Sequence, residues 1–265
     1  MTDAADTRRA ATIPAPAAPT LRGILVSLLR ADAIVQLRNG RALALGTVLP
    51  LVLLWALFAA KRATTLGDPL FLVASCLSLG MASMAVLGYS ITVARDRETG
   101  VLQRLRVTPA PTWAIMLSRL IVQVVAMMAM AVVVLAAAFL FEHVELSPIG
   151  YVLTIVVLIL ASAVFLSIGQ LLVGLIASAD TLSAGGRLIY MPLVVLGVFG
   201  HTSLFGTTFE MVSRWSPSGV ASSLMSGAMD PGASTGETWL AVVAAAAYTV
   251  VFAGIGIRWF RWTVR

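Results

Sequence analysis

The sequence predicts an all-α integral membrane protein: six transmembrane helices, an amphipathic interfacial helix ahead of the first, and a short re-entrant helical segment before the last. Composition points there first, because 59% of the 265 residues are hydrophobic and 11% are charged, against roughly 25% charged in an ordinary soluble domain. Mean hydropathy is +0.96. Six runs, 43–60, 70–94, 120–141, 149–177, 188–209 and 238–257, contain no Asp, Glu, Lys or Arg, and each is close to the roughly 20 residues that a bilayer crossing requires. None alternates over roughly ten residues as a barrel strand does, and a lipid-exposed backbone must satisfy its own hydrogen bonds, so each run is helical. A soluble enzyme, a secreted disulfide scaffold and a disordered chain are excluded. The single Cys76 lies inside an apolar run as a small hydrophobe, and can form neither a disulfide framework nor a cysteine metal site within the chain.

Residues 1–20 are Ala, Pro and Thr with scattered charge, and are expected to form a disordered tail. The first apolar run begins too late for a signal peptide. In 21–38, Leu21, Ile24, Leu25, Leu28, Ala31 and Val35 fall on one stripe opposite Arg22, Ser27 and Arg30, with Asp32 fitting less well at its edge. Such a helix lies in the headgroup layer, as an anchor or as a docking element for a partner. The 149–177 run would be about 44 Å long as a helix, more than a bilayer core of roughly 30 Å, so it tilts, kinks or protrudes.

Sidedness follows from the basic residues. The net charge is +6 and Lys61 is the only lysine; of the 18 Lys and Arg, all but Lys61, Arg62 and Arg214 fall on the side shared by both termini, the 95–119 loop and Arg187. The opposite side holds Asp68, Glu142, Glu145, Glu210, Asp230 and Glu237. Positive-inside bias therefore predicts cytoplasmic termini in a cytoplasmic membrane, and the pI near 10.4 reports topology and not nucleic-acid binding. Near-exclusive arginine usage fits a GC-rich bacterial genome.

Two absences narrow the function. There is no phosphate-cradling G-x-x-x-x-G-K-[ST], so the chain is not expected to hydrolyse ATP. No acidic residue lies in mid-membrane, where ion-coupled carriers keep a relay or ligand. Uphill transport would need energy from a partner.

The loop 95–112 is the most informative segment. It runs Arg95-Asp96-Arg97-Glu98-Thr99-Gly100-Val101-Leu102-Gln103-Arg104-Leu105-Arg106-Val107-Thr108-Pro109, acidic early and basic late, as suits the dipole of a short helix. Val101, Leu102 and Leu105 supply an apolar ridge and Pro109 a stop. Any short inside loop is also basic, so charge alone does not distinguish a docking helix. The string from Arg97 to Pro109, followed by Trp113 and Arg119, resembles the R-E-x-G-x-L-x-R-L-x-x-T-P signature of the type-2 family of bacterial ABC exporter permeases, the membrane halves of drug, antibiotic, sodium and polysaccharide exporters. The chain resembles that family along its length, in the N-terminal amphipathic helix, the six spans, the placing of the signature and a Ser-Pro segment before the last span.

The resemblance implies a permease domain over 21–265 and a coupling helix seated in a cleft of a separate ATPase subunit, with Arg97, Glu98, Gly100, Leu102, Leu105 and Pro109 forming the docking surface. It implies a pair of such chains, identical or similar, with two cytoplasmic ATPase subunits that hold the ATP and Mg; no cofactor is expected on this chain. Between Glu210 and Glu237, Val220 to Met229 is too short to span and too apolar for an ordinary loop. Ser216-Pro217 can open a helix there, with Gly219 beside it, and the resemblance implies re-entrant helices capping the exit; an amphipathic surface loop is the plainer alternative. Gln123, Gln170, Tyr190 and His201, with Ser75, Ser78 and Ser83, are polar residues within the spans, suited to hydrogen bonds between helices or to lining a path. The eleven Met are apolar filler or the lining of a greasy path. Trp259 and Trp262 among Arg258, Arg261 and Arg265 suit an interfacial anchor. An ATP-driven exporter of an amphipathic or lipophilic drug, antibiotic or lipid-like molecule is the expectation. A secondary multidrug carrier and a non-transporting structural subunit are the rivals.

Overall fold

The computed structural model describes residues 20–59, 68–108, 110–142, 146–200, 205–233 and 236–260. The expectations for the tail 1–19 and for Lys61, Arg62, Pro109, Glu145, His201, Arg261, Trp262 and Arg265 lie outside them. Within them the chain is helical, with no strand.

Helix α1 (Leu21–Arg38) opens on Thr20, whose hydroxyl accepts from the Gly23 amide at 3.3 Å. Helix α2 (Gly40–Ala59) follows after Asn39, with Pro50 inside it. Helix α3 (Pro69–Glu98) runs on through a π-helical turn at Ser83–Tyr89. The six-residue α4 (Val101–Arg106) leads into α5 (Thr112–Glu142), α6 (Pro148–Leu175) and α7 (Ala179–Phe199). Two short helices, α8 (Thr207–Trp215) and α9 (Pro217–Met229), precede α10 (Gly236–Trp259). Five helices are long and apolar enough to cross a membrane, and the apolar stretch of α2, Gly46–Ala59, is shorter. The chain is a multi-pass, all-α membrane protein.

The bundle is organised around α3, whose residues from Phe71 to Val86 are all buried. Helices α2, α5, α6, α7 and α9 all pack on it, while α10 pairs with α6 at the flank and exposes most of its surface. A membrane protein can leave that much apolar surface outward because lipid replaces water as its solvent.

Two expectations need correction. The fifth apolar run, 188–209, does not form one helix: α7 occupies Ala179–Phe199, and Phe209 belongs to α8. A charge-free window excludes the first turns of α7, where Asp180 and Arg187 stay exposed while the helix passes through them, capped by Ser178. The apolar stripe of α1 is rotated: Leu21 and Val35 are exposed, whereas Leu25, Leu28, Asp32 and Gln36 turn toward the bundle, because Asp32 has polar partners there. Val220 to Met229 takes the helical form expected of it and not that of the alternative surface loop. It forms most of α9, a largely buried helix packed among α3, α6, α7 and α10.

Candidate functional site

The loop between α3 and α5 is built from the end of α3 outward. The Thr99 hydroxyl donates to the Arg95 carbonyl at 2.9 Å, and the Gly100 amide to the Arg97 carbonyl at 3.2 Å, closing the last turn. Gly100 then takes φ 73°, a left-handed conformation that any Cβ disfavours. The glycine is required by this reversal and not by crowding, since a Cβ there would meet only Gln103 Oε1, at 3.9 Å. Helix α4 ends where the Thr108 hydroxyl donates to the Leu105 carbonyl at 2.6 Å, so a polar cap stops it within the described residues, ahead of the expected stop at Pro109.

Arg97 and Glu98 serve the two ends of a neighbouring turn. Arg97 is buried, 2% exposed; its guanidinium donates to the carbonyls of Val173 at 3.0 Å, Ile176 at 2.7 Å and Ala177 at 2.7 Å, at the C-terminus of α6. Glu98 Oε1 accepts the Ala179 amide at 2.7 Å, at the N-terminus of α7. A cation at a helix C-terminus and an anion at a helix N-terminus each complement the helix dipole, so adjacent residues of opposite sign bolt the α6–α7 turn to the foot of α3. Charge-assisted hydrogen bonds to otherwise orphaned carbonyls are among the stronger contacts a side chain makes.

The structure divides the residues expected at a docking surface between the inner and outer faces of the loop. Arg97 and Leu102 are buried, Leu102 completely, in the core cluster with Val93 and Ala94; they hold the loop down. Glu98 is exposed but its carboxylate binds its own chain. What faces outward is Val101, Gln103, Arg104, Arg106, Val107 and Thr108, with Leu105 half-exposed and Val107 87% exposed. The loop thus presents a bare Val107 and a partly covered Val101, 37% exposed, among arginines. Val101 was visible in the sequence as part of the ridge; Val107 was not, since only the fold shows that nothing covers it.

The other expected residues are apart from this loop. Ser216 caps α9, accepting the Gly219 amide at 3.0 Å with Pro217 in the first turn. Gly219 lies so close to the end of α8 that a Cβ would come within 1.9 Å of the Ser213 carbonyl oxygen. Gln123 Nε2 donates to the Met84 carbonyl in the π-helical turn at 3.3 Å, the Tyr89 hydroxyl to Gln170 Oε1 at 2.8 Å, and the Tyr190 hydroxyl to the Leu79 carbonyl at 3.5 Å. These three join α3 to α5, α6 and α7, and each is an interhelical tie. Ser78 joins α3 to α9 through the Ser218 carbonyl at 3.3 Å. No group of three or more His, Cys, Asp or Glu that could hold a metal occurs among the described residues.

A comparison with protein-family models matches residues 25–229 to the ABC-2 type transporter family. That match covers well over half of the chain, including α3, the loop and α9, and the chain belongs to this family. No curated protein matches it.

Proposed function

We propose that this ABC-2 type transporter chain is the membrane subunit of an ATP-driven exporter, worked by a separate ATPase subunit that docks on the loop between α3 and α5. Members of the family are transport membrane components that normally work with an ATPase partner in a bilayer. The observation that carries the reading is the division of labour within one short loop. Arg97, Glu98 and Leu102 fasten it to the bundle from inside, and Val101, Arg104 and Val107 remain outside with no intramolecular work that would use their apolar surface. A loop that only connected two spans would not need the lock that Arg97 and Glu98 form with the α6–α7 turn.

In this reading both termini and the loop face the cytoplasm, two permease chains pair across the path, and the partner binds ATP and Mg. Closure of two ATPase subunits would push the loop, and α3 would carry the displacement into the bundle toward α9. The cargo class is an amphipathic or lipophilic small molecule moved outward. Supporting this is the apolar interior around α3, where Ser78, Tyr89 and Gln123 spend their polar groups on bonds between helices.

The test is association. The chain is co-purified with the ATPase encoded beside it, for the parent and for Val101→Asp combined with Val107→Asp. The pair of substitutions is expected to weaken association by about tenfold or more while insertion and thermal stability hold, because it charges two exposed apolar contacts. Undiminished association would refute the docking assignment. Uphill pumping of a lipophilic dye by this chain alone on an ion gradient would favour the secondary carrier.

A further inference from the structure

The loop is closed at its base by an ion pair. Arg119, two turns into α5, places Nη1 2.6 Å from Asp96 Oδ2 at the foot of α3, so everything from Arg97 to Ser118 hangs below that contact. The same guanidinium faces Asp32 of α1, with Nε 4.0 Å from Oδ1. The Ser118 hydroxyl donates to Asp32 as well. Just past the end of α1, its C-cap residue Asn39 donates through Nδ2 to Thr92 Oγ1 of α3 at 3.4 Å. Helix α1 therefore packs on α5 and is held to it through Asp32, while the shared Arg119 and the cap residue Asn39 connect it to the foot of α3.

Burial makes these contacts matter. The Arg119 side chain is 10% exposed, Asp32 21% and Asp96 24%. They border a cavity of about 40 Å³ that Tyr89, Thr92, Gln36 and Gln123 also line. Two carboxylates share one guanidinium, so neither is fully neutralised without Arg119, and its loss would leave two like charges facing each other at low dielectric. That arrangement is poorly suited to adding stability and well suited to fixing geometry.

We infer that Arg119 is a positioning residue that staples the base of the docking loop to α1, so that loop and interfacial helix move as one body when the ATPase pushes. Nothing in the docking role of Val101, Arg104 and Val107 requires α1 to follow. The staple supplies that link, and it gives α1 a mechanical part beyond lying in the headgroup layer. The inference deepens the reading of the loop as a docking element and rests on it for its second measurement only.

The first measurement uses the full chain in lipid nanodiscs without partner, following amide hydrogen exchange. Arg119→Gln is expected to speed exchange in α1 and in 101–106 by about tenfold or more, and Arg119→Lys to restore most of the protection. Asp32→Ala, which cuts the α1 arm alone, is expected to speed exchange in α1 and leave 101–106 as in the parent; it decides the matter if Arg119→Gln does not insert. Protection of α1 unchanged in both variants overturns the staple. The second measurement places spin labels at Arg30→Cys and Arg104→Cys, in the assembled complex with and without bound ATP. One narrow distance distribution, unchanged by ATP in the parent and broadened by Arg119→Gln, is expected. A parent distance that shifts with ATP overturns the single-body claim. If no ATPase binds the chain, the reading of the loop fails, and the exchange data still decide whether the staple exists.

Discussion

At the scale of single residues, adjacent side chains in this loop have opposite tasks, and their substitution should separate accordingly. Arg97→Met keeps the volume of the stem and leaves three carbonyls at the α6 terminus without their donor. Hydrogen bonds to a charged donor are worth about 1.5–3 kcal/mol, so a clear drop in the thermal unfolding midpoint is expected, with faster proteolysis or exchange at 174–180. Arg104→Ala, on the exposed face, should leave that midpoint unchanged. Gly100→Ala forces a Cβ into a left-handed turn and should cost roughly 1–2 kcal/mol. Asp32 gives a pH dependence. Burial raises its carboxyl above the ordinary carboxylate range, the Asp96 charge adds to this, and Ser118 and Arg119 pull back. A carboxyl with a raised folded-state value favours the folded state at low pH, and that contribution is lost as pH rises through the raised value. Asp32→Asn should therefore unfold at no lower temperature than the parent at neutral pH, with any advantage vanishing as pH falls below the ordinary range; a clear loss at neutral pH would contradict this. The sequence showed Asp32 as a misfit on an apolar stripe, which was the trace of the staple. It could not show the partners, because Ser118 and Arg119 are 86 and 87 positions away and only packing of α1 across two helix feet brings them together.

At the scale of elements, the apolar runs located most of the spans because lipid enforces length and the exclusion of charge, and both are readable without a fold. The rule failed where a helix carries charge beyond the apolar layer. Helix α7 begins at Ala179 with Asp180 exposed in its first turn and Arg187 still on its surface, so the charge-free window slid onto the chain beyond Phe199. The cap at Ser216-Pro217 was legible because it is local chemistry, and α9 begins as that pair predicts. Its burial was not legible, since it depends on α3, α6, α7 and α10 closing around it and on partners distant in sequence, such as the Leu193 carbonyl to which Ser218 donates at 2.8 Å. Ser216→Ala removes a buried cap and should lower stability by about 1–2 kcal/mol, measured as the denaturant or thermal midpoint in detergent. An unchanged midpoint would mean that α9 is held by packing alone.

At the scale of the whole molecule, the chain is a bundle around one buried helix, with its loop face at the α4 end and the helix pair α8–α9 following the other end of α7. The resemblance points to the loop as the docking element and to its residues as a set, and neither a signature nor the spacing of a six-residue helix says which of them turn inward. Leu102 is swallowed by the core and Val107 is left bare, and no periodicity distinguishes them. On the proposed function, the exposed face of α4 lies in the cytoplasm beneath an ATPase. This placement is tested most directly by labelling Arg104→Cys with a membrane-impermeant maleimide in intact cells and in inside-out vesicles, with and without the ATPase subunit; the native Cys76 is buried. The account predicts labelling only in inside-out vesicles, and protection when the ATPase is present. Labelling from outside intact cells, or no protection by a bound ATPase, would contradict it.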